Sequence, residues 1–272
     1  MIPRANITAW RHSAPWPDNA QVEQDLALSR ALVEMFSREA VAEQIVFRGG
    51  TALHKLYFDP PARYSEDIDL VQRDAGPIGP LVAGIRDALD SWLGEPKWRA
   101  GHGRFTLYYR FETTFEPIVK MRLKVEINTR EHFAVHGIVR RSHRVENPWF
   151  SGAAEVHTFS LSELLATKLR ALHQRKKGRD LFDLALGLAH AEASPEQIIS
   201  AFERYMDFGG TSVTRAQFEA SMASKLADEA FLEDVTQLLR TGLKHDPTEA
   251  WELVSGALVS RLPGEPWKGE DR

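Results

Sequence analysis

A double glycine followed by a pair of aspartates constrains this chain more than any other feature. The stretch Val46–Val71 holds an apolar run that stops at Gly49 and Gly50, a short helical pattern, and a strand pattern that carries Asp67 and Asp69. Side chains two positions apart on a strand point to the same face of a sheet, so the two carboxylates project side by side. The order strand, double glycine, helix, strand therefore predicts an acidic pair on one face of a sheet.

The chemistry of this stretch indicates a phosphate ligand and a divalent cation. Two adjacent carboxylates repel each other unless a cation neutralises them, and Mg²⁺ is commonly held by one or two carboxylates together with substrate phosphates. Gly49 and Gly50 let backbone N–H groups approach a ligand closely, and a helix that begins at Thr51 directs its positive end at an anion. We expect phosphates and their metal between this segment and Asp67 and Asp69. The alternative is a glycine turn followed by a solvated, acidic strand end.

Several stretches resemble the motifs of one family. Gly-Gly-Thr, followed by Arg-Tyr-Ser-Glu-Asp-Ile-Asp-Leu at residues 63–70, is similar to the first signature of the nucleotidyltransferase AbiEii/AbiGii toxin family. That family belongs to the polymerase-β-like nucleotidyltransferase superfamily, whose pattern is GG or GS, a helical spacer and D-x-D. The later stretches that resemble its other motifs are Lys124-Val125-Glu126, Leu165–Leu172 with Arg175, and Arg179–Leu184.

The resemblance implies a role for individual residues. Lys168 would contact nucleotide phosphates, and a carboxylate of the last motif, Asp183 in preference to Asp180, would be needed for activity. Helix capping is the alternative for both of these aspartates. The proton acceptor is left open between Glu126, Asp180 and Asp183. The predicted metal ligands are Asp67 and Asp69, the nucleotide-binding residues are Gly49, Gly50, Thr51, Ser65, Lys168 and Arg175, and the catalytic residues are Asp67, Asp69, Glu126, Lys168 and Asp183.

Two stretches alternate cleanly between apolar and polar residues. In Arg104–Glu112 and in Lys120–Asn128 the odd-numbered positions are apolar, so each stretch predicts a strand with one buried and one solvated face. Glu126 stands on the solvated face, where it could complete a metal site or accept a proton from an attacking hydroxyl. The alternative for Glu126 is an ordinary charge ladder on an edge strand.

Helical periodicity covers much of the remaining chain. Apolar residues recur at three- and four-residue spacing in Asn19–Glu43 and in Pro77–Gly94. The sequence Ser-Leu-Ser-Glu at residues 160–163 predicts a capping box at the start of another helix. Residues 1–17 are expected to form an arm or to be poorly ordered, and residues 129–158 to contain one short strand near residues 137–144.

Composition excludes several kinds of site and compartment. The chain has no cysteine, which rules out disulfides, thiolate zinc sites and cysteine nucleophiles and fits an intracellular protein. Residues 1–17 lack the apolar core of a signal peptide. No apolar run approaches the ~20 residues that a membrane-spanning helix needs. We therefore expect a cytoplasmic protein without a membrane partner.

The charge of the chain is unevenly distributed. Residues 97–179 hold 17 Lys and Arg against 7 Asp and Glu, although the net charge of the whole chain is −4. A central block with a charge of +10 is a candidate footprint for nucleic acid or polyphosphate. The alternative is that basic and acidic regions pair with each other in the folded protein.

These observations predict an α+β protein. We expect a polymerase-β-like nucleotidyltransferase domain with a mixed sheet over residues 1–158 and a helical C-terminal domain over residues 159–272. The resemblance implies a Mg²⁺-dependent toxin of a bacterial toxin–antitoxin or abortive-infection system, with a cognate antitoxin, that transfers NMP from an NTP to an RNA hydroxyl. Some relatives modify the 3′ acceptor end of tRNA, which would block translation. The alternatives are transfer to a small molecule or protein, and an NTP-binding regulator without turnover.

Overall fold

A seven-stranded mixed sheet organises the first part of the chain in the computed structural model, which describes residues 2–269. The outer ends of the two predicted domains, residue 1 and residues 270–272, lie outside the described residues. The strand order is β3-β4-β5-β2-β1-β7-β6. The strands are β1 (Ile45–Arg48), β2 (Asp67–Gln72), β3 (Lys97–Gly101), β4 (Arg104–Glu112), β5 (Lys120–Asn128), β6 (Ile138–Asn147) and β7 (Phe150–Phe159).

Helices form the rest of the regular secondary structure in residues 2–269. The predicted α+β class with a mixed sheet is confirmed. The α-helices are α1 (Arg4–Trp10), α2 (Asn19–Phe36), α3 (Glu39–Ala42), α4 (Gly49–Leu56), α5 (Gly79–Leu93), α6 (Leu161–Gln174), α7 (Gly178–Leu188), α8 (Pro195–Phe208), α9 (Arg215–Leu226), α10 (Glu229–Glu233) and α11 (Pro247–Ala257), with 3-10 helices at Thr236–Leu238 and Val259–Arg261. No helix in residues 2–269 has both the length and the apolar character needed to cross a bilayer.

The described chain divides into two compact units. The first contains the sheet with α1–α5 and comprises residues 2–134, Ile138–Phe159 and Arg240–Gly242. The second contains α6–α11 and comprises Val135–Gly137, Ser160–Leu239 and residues 243–269.

The alternating pattern of β4 and β5 predicts their bounds and their buried face. Leu107, Tyr109, Leu123, Val125 and Ile127 are fully buried on the face that packs against α2 and α5. The Tyr109 hydroxyl donates to the Asp90 carboxylate of α5 at 2.9 Å. The even-numbered residues of both strands therefore occupy the opposite face, on which Asp67 and Asp69 also lie.

Sequence patterns missed two strands. All residues of β3 are exposed, so its sequence carries no alternation of burial, and it is a strand because it pairs with β4 at the edge of the sheet. Strand β7 contains the small residues Gly152, Ala153 and Ala154, which have weak strand propensity. It pairs along its whole length with β6 and lies parallel to β1 at Phe47 and Thr158.

The prediction that residues 1–17 form an arm or are poorly ordered is wrong. Trp10 and Trp16 are 4% and 2% exposed. Their indole N–H groups donate to the two carboxylate oxygens of Asp25 at 2.8 and 3.0 Å. A buried carboxylate needs such donors, so Asp25 within α2 anchors the N-terminal segment.

Two predicted helix features are only half correct. The helix predicted over Asn19–Glu43 is interrupted because Arg38 is extended, which separates α2 from α3. The Ser160 side chain caps α6 by accepting from the Glu163 N–H. However, the Glu163 carboxylate accepts from the N–H groups of Val135 and His136 instead of completing a capping box.

Candidate active site

The candidate site in the first unit begins where β1 passes directly into α4. Gly49 is the first residue of α4 and has a φ of 84°. A β-carbon at this position would lie 2.5 Å from Asp69 Oδ2. Both the positive φ and the close approach of Asp69 require glycine at this position. The Asp69 carboxylate consequently lies against the N-terminus of a helix.

The first turn of α4 is fixed to the start of β2. The Thr51 hydroxyl donates to the Asp67 carbonyl at 2.6 Å and lies 2.8 Å from the Ser65 hydroxyl. A β-carbon on Gly50 would collide with the guanidinium of Arg63 and come within 3.3 Å of Ser65 Oγ. The predicted nucleotide-binding residues Gly49, Gly50, Thr51 and Ser65 are therefore neighbours.

Arg63 is a site residue to which the sequence pattern assigned no role. It is 2% exposed, and its Nη1 donates to the Tyr64 carbonyl at 2.9 Å. Its position inside the motif at residues 63–70 was the signal that could have found it. A guanidinium beside the first turn of α4 adds positive charge where that helix directs its N–H groups.

Strand register brings a third carboxylate beside the aspartate pair. Strands β2 and β5 run parallel, with Asp67 opposite Lys124 and Asp69 opposite Glu126. The Lys124 ammonium lies 2.8 Å from Asp67 Oδ2 and 3.6 Å from Glu126 Oε2. Burial alone would lower the pKa of Lys124, but the hydrogen bond and negative charge of Asp67 outweigh it and raise this pKa.

The surroundings of Asp69 disfavour its charged form. Burial raises its pKa, and the positive charges of Lys124 and Arg48 offset only part of this effect. Arg48 is opposite Asp69 on β1 and forms an ion pair with Glu131 at 2.5 Å. The ionised form of Asp69 is thus costly, and an added cation would stabilise it.

The donor set fits a magnesium ion that is completed by its substrate. Among residues 2–269 there is no group of three or more His, Asp or Glu side chains arranged to hold a metal. Mg²⁺ needs only one or two carboxylates when substrate phosphates provide further oxygens. Asp67 and Asp69 offer such a pair, and the Lys124 ammonium already places one positive charge against Asp67.

A separate cluster of predicted site residues lies within the second unit. Lys168 on α6 is 6% exposed, and its Nζ lies 3.1 Å from Asp180 Oδ1 and 2.8 Å from Asp183 Oδ2. Arg175 makes two hydrogen bonds to Asp180, at 2.7 and 2.8 Å. Asp180 and Asp183 are three residues apart on α7, so both carboxylates share one helix face. The structure therefore brings together all four of these residues.

The two aspartates of this cluster do not cap a helix. The N-cap residue of α7 is Lys177, and it makes no side-chain capping bond. Burial acts to raise the pKa of Asp180, but the positive charges of Lys168 and Arg175 outweigh it and lower this pKa. The carboxylates instead hold the Lys168 ammonium in a fixed position.

Comparison with known proteins identifies the family. The family model of the nucleotidyl transferase AbiEii toxin, Type IV toxin–antitoxin system, matches residues 30–255. The chain belongs to the AbiEii family. The resemblance inferred from the four motifs is thereby confirmed, and this AbiEii protein is a nucleotidyltransferase toxin of a type IV toxin–antitoxin system. Membership implies an NTP as substrate and a cognate antitoxin.

Solved structures share the fold of this AbiEii protein. MenT4, a nucleotidyltransferase toxin from Mycobacterium tuberculosis H37Rv, matches with a TM-score of 0.66 and 16% identity, covering 97% of this chain and 91% of MenT4. A proposed nucleotidyltransferase from H. pylori matches with a TM-score of 0.54 and 17% identity, covering 88% of this chain and 94% of that protein. No match was found among curated proteins. At identities this low, the two matches show a common fold and do not show a common substrate.

Proposed function

We propose that this AbiEii protein transfers a nucleoside monophosphate from an NTP to the 3′-terminal hydroxyl of a tRNA and thereby blocks translation. One observation carries the proposal. The carboxylates of Asp67, Asp69 and Glu126 share one face of the sheet, and the N-terminus of α4 lies against Asp69. Negative groups for a metal and positive groups for a phosphate thus occur side by side.

The N-terminus of α4 is the proposed binding site for the triphosphate. The first N–H groups of a helix have no partner within that helix, and they carry its positive end. Gly49 and Gly50 leave room for phosphate oxygens to approach this backbone, while Thr51 and Ser65 place hydroxyls beside it. For Lys168, a contact with nucleotide phosphates is what the family resemblance implies, and we retain it as a proposal.

Asp67 and Asp69 are the proposed ligands of Mg²⁺. When bound, the ion would neutralise the triphosphate and stabilise the negative charge that develops on pyrophosphate. The raised pKa of Asp69 agrees with this role, because a buried carboxylate without enough positive charge gains most from a cation.

The transfer itself needs one bond to form, one to break and one proton to move. The 3′-hydroxyl oxygen of the RNA attacks the α-phosphorus, the bond from that phosphorus to the bridging oxygen breaks, and pyrophosphate leaves. We assign the hydroxyl proton to Glu126, which lies opposite Asp69 and keeps 31% of its side chain exposed. Asp183 is fully buried against Lys168, so we assign it the positioning of that lysine, together with Asp180.

RNA as the acceptor has two sources of support. The part of the central basic block on β3, β4 and β5 favours a polyanionic acceptor over a cationic small molecule. The family resemblance adds the tRNA 3′ end. Because NTPs and tRNA are both cytoplasmic, we propose that the toxin acts in the cytoplasm.

A labelling experiment tests the proposal. The purified protein is incubated with α-phosphate-labelled NTPs and total RNA, with Mg²⁺ or with a chelator, and the products are separated by size. We expect label in the tRNA fraction only when Mg²⁺ is present, and none after periodate oxidation of the 3′-terminal ribose. Translation in a cell-free extract should stop when its tRNA has been treated with protein and NTP.

Matched variants show which residues carry the transfer. Asp67→Asn and Glu126→Gln should lose labelling, whereas Glu112→Gln, an exposed carboxylate of β4, should retain it. Label in protein or in a small molecule would support a different acceptor. Tight NTP binding without any labelled product would show that the protein is a regulator and would refute the proposed transfer.

A further inference from the structure

The face of the sheet that carries Asp67 and Asp69 continues to the edge of the sheet. Lys124 of β5 is opposite both Asp67 of β2 and Tyr108 of β4, and Tyr108 is in turn opposite Lys97 of β3. Residues that are directly opposite each other project from the same face. On β3, β4 and β5, outside the candidate site, this face has one acidic residue, Glu112, and six basic ones: Lys97, Arg99, Arg104, Arg110, Lys120 and Arg122.

A groove is lined in part by these basic residues. It has a volume of about 420 Å³ and is lined by Gln24, Glu66, Arg110, Lys120, Met121 and Arg122. Glu66 directly precedes Asp67 in the chain. The lining of the groove therefore includes the residue next to a proposed metal ligand.

Like charges meet among the cations of this groove, although Glu66 also lines it and Glu112 is opposite Lys120. Arg110 and Arg122 are directly opposite each other, an arrangement of like charges that destabilises a sheet. In the part of the chain that the structure describes, neither of them nor Lys120 makes an ion pair; the paired lysine of this face is Lys124. An external polyanion would offset the repulsion.

The other half of the central basic block is already neutralised. Lys176 pairs with Asp228, and Lys177 lies 3.1 Å from Asp234. Lys168 and Arg175 are bound to Asp180, as described above. Lys168, Arg175, Lys176 and Lys177 of the helical unit are thus paired with acidic residues, in contrast to Arg110, Lys120 and Arg122.

An aromatic ring also lies beside these cations. The Arg122 guanidinium lies over the Tyr108 ring, 5.1 Å from its centroid. Bases of single-stranded RNA stack on aromatic rings and on guanidinium planes, and this stacking does not require a particular sequence.

We infer that this surface binds the single-stranded 3′ end of the acceptor RNA. Arg110, Lys120 and Arg122 contact its phosphates, the Tyr108–Arg122 pair stacks one of its bases, and the strand runs along the groove so that its terminal hydroxyl reaches Asp67. The inference rests on the proposed function and adds the surface that holds the acceptor. The partner is RNA and not protein, because the groove combines unpaired cations with a stacking platform.

Binding of a fluorescent single-stranded RNA oligonucleotide with a free 3′ hydroxyl tests the inference. Its Kd is measured by anisotropy for the full-length protein over a range of KCl concentrations. We expect Arg110→Gln/Arg122→Gln to weaken binding at least tenfold and to reduce the slope of log K against log salt by about 1.4, since each phosphate contact on a single strand contributes about 0.7. Tyr108→Leu should weaken binding about tenfold and leave the slope unchanged.

The control is Arg140→Gln/Arg144→Gln, which removes the same charge from β6 at the other end of the sheet. It should bind RNA as tightly as the native protein, and all variants should retain the native affinity for NTP. An Arg110→Gln/Arg122→Gln protein with native Kd and native slope would overturn the inference. So would an equal loss of NTP affinity, or weakened binding of a protein partner with unchanged RNA binding.

The two proposals can fail separately. If the native protein labels tRNA and the groove variants bind and label it equally well, the transfer stands and the surface is wrong. If the native protein labels no RNA but binds the oligonucleotide through the groove, the surface stands and the transfer is refuted.

Discussion

Gly49 and Asp69 touch across two strands: a β-carbon on Gly49 would lie 2.5 Å from the Asp69 Oδ2 atom. The antiparallel pairing of β1 with β2 creates this contact, because it sets Arg48 opposite Asp69 and leaves Gly49 just beyond. A predicted phosphate-binding turn and a predicted metal ligand are thereby in direct contact.

Gly49→Ala should therefore impair transfer more than stability. The methyl group would displace the Asp69 carboxylate, and the residue would also be held at a φ of 84°, which side chains rarely adopt. We expect about 1–3 kcal/mol of destabilisation in urea unfolding and an activity loss of about 100-fold in RNA labelling. Gly76→Ala, which meets nothing within 4 Å, should leave both unchanged. Native activity in a folded Gly49→Ala protein would contradict the proposed site.

The two predicted metal ligands should respond to neutralisation with opposite changes in stability. The pKa of Asp69 is raised by burial, so folding at neutral pH must either bury an unfavourable charge or bind a proton, and this penalty grows as the pH rises from the unfolded-state pKa through the raised one. Asp69→Asn should therefore raise Tm at pH 7. Asp67→Asn removes the 2.8 Å partner of Lys124 and should lower Tm. Calorimetry without added metal measures both, and shifts of the same sign would refute this electrostatic account.

Lys168 should be needed for both stability and activity, and the two effects can be separated. Lys168→Met leaves Asp183 without its 2.8 Å partner and should cost about 3–5 kcal/mol in urea unfolding, as for other broken buried pairs. The double variant Lys168→Met/Asp183→Leu also removes the buried carboxylate that faced the ammonium, and it should recover part of that loss. It should nevertheless remain inactive in RNA labelling, because the phosphate contact is still missing.

The exposed pair of Lys176 and Asp228 provides the matched control. The Lys176 side chain is 47% exposed, so Lys176→Met should change the free energy of unfolding by less than about 1 kcal/mol and keep activity. A double variant at Lys168 and Asp183 with native activity would show that Lys168 is structural only.

Asp180 should make the stability of the protein sensitive to acid. Lys168 and Arg175 lower its pKa below the unfolded value of about 3.9. The ion pairs therefore contribute fully above pH ~4 and are lost as the pH falls through the folded-state pKa. Urea unfolding from neutral to acidic pH should show Asp180→Asn less stable than the native protein near neutrality. The difference should shrink in acid; a constant difference would contradict this linkage.

The sequence predicted those strands and helix caps that depend only on residues close together in the chain. Arg104–Glu112 and Lys120–Asn128 alternate with a period of two, and both strands have those bounds. Ser160 was identified as a helix cap from its neighbours in the chain, and it is one. The partner of the Glu163 carboxylate was missed, because residues 135 and 136 lie far from it in the sequence.

The sequence by itself determined that Asp67 and Asp69 share a face, that a short helix follows the first strand, and that the chain belongs with the AbiEii toxins. Each follows from residue spacing or motif order, which the chain carries without reference to any distant segment. The sequence predicted that this helix begins at Thr51, whereas α4 already begins at Gly49. Only the tertiary structure decided that Glu126 lies opposite Asp69, that Asp180 and Asp183 hold Lys168, and that Arg110 and Arg122 make no ion pair within residues 2–269. Strand register and helix packing set these contacts, and both depend on burial shared between segments that are distant in the sequence.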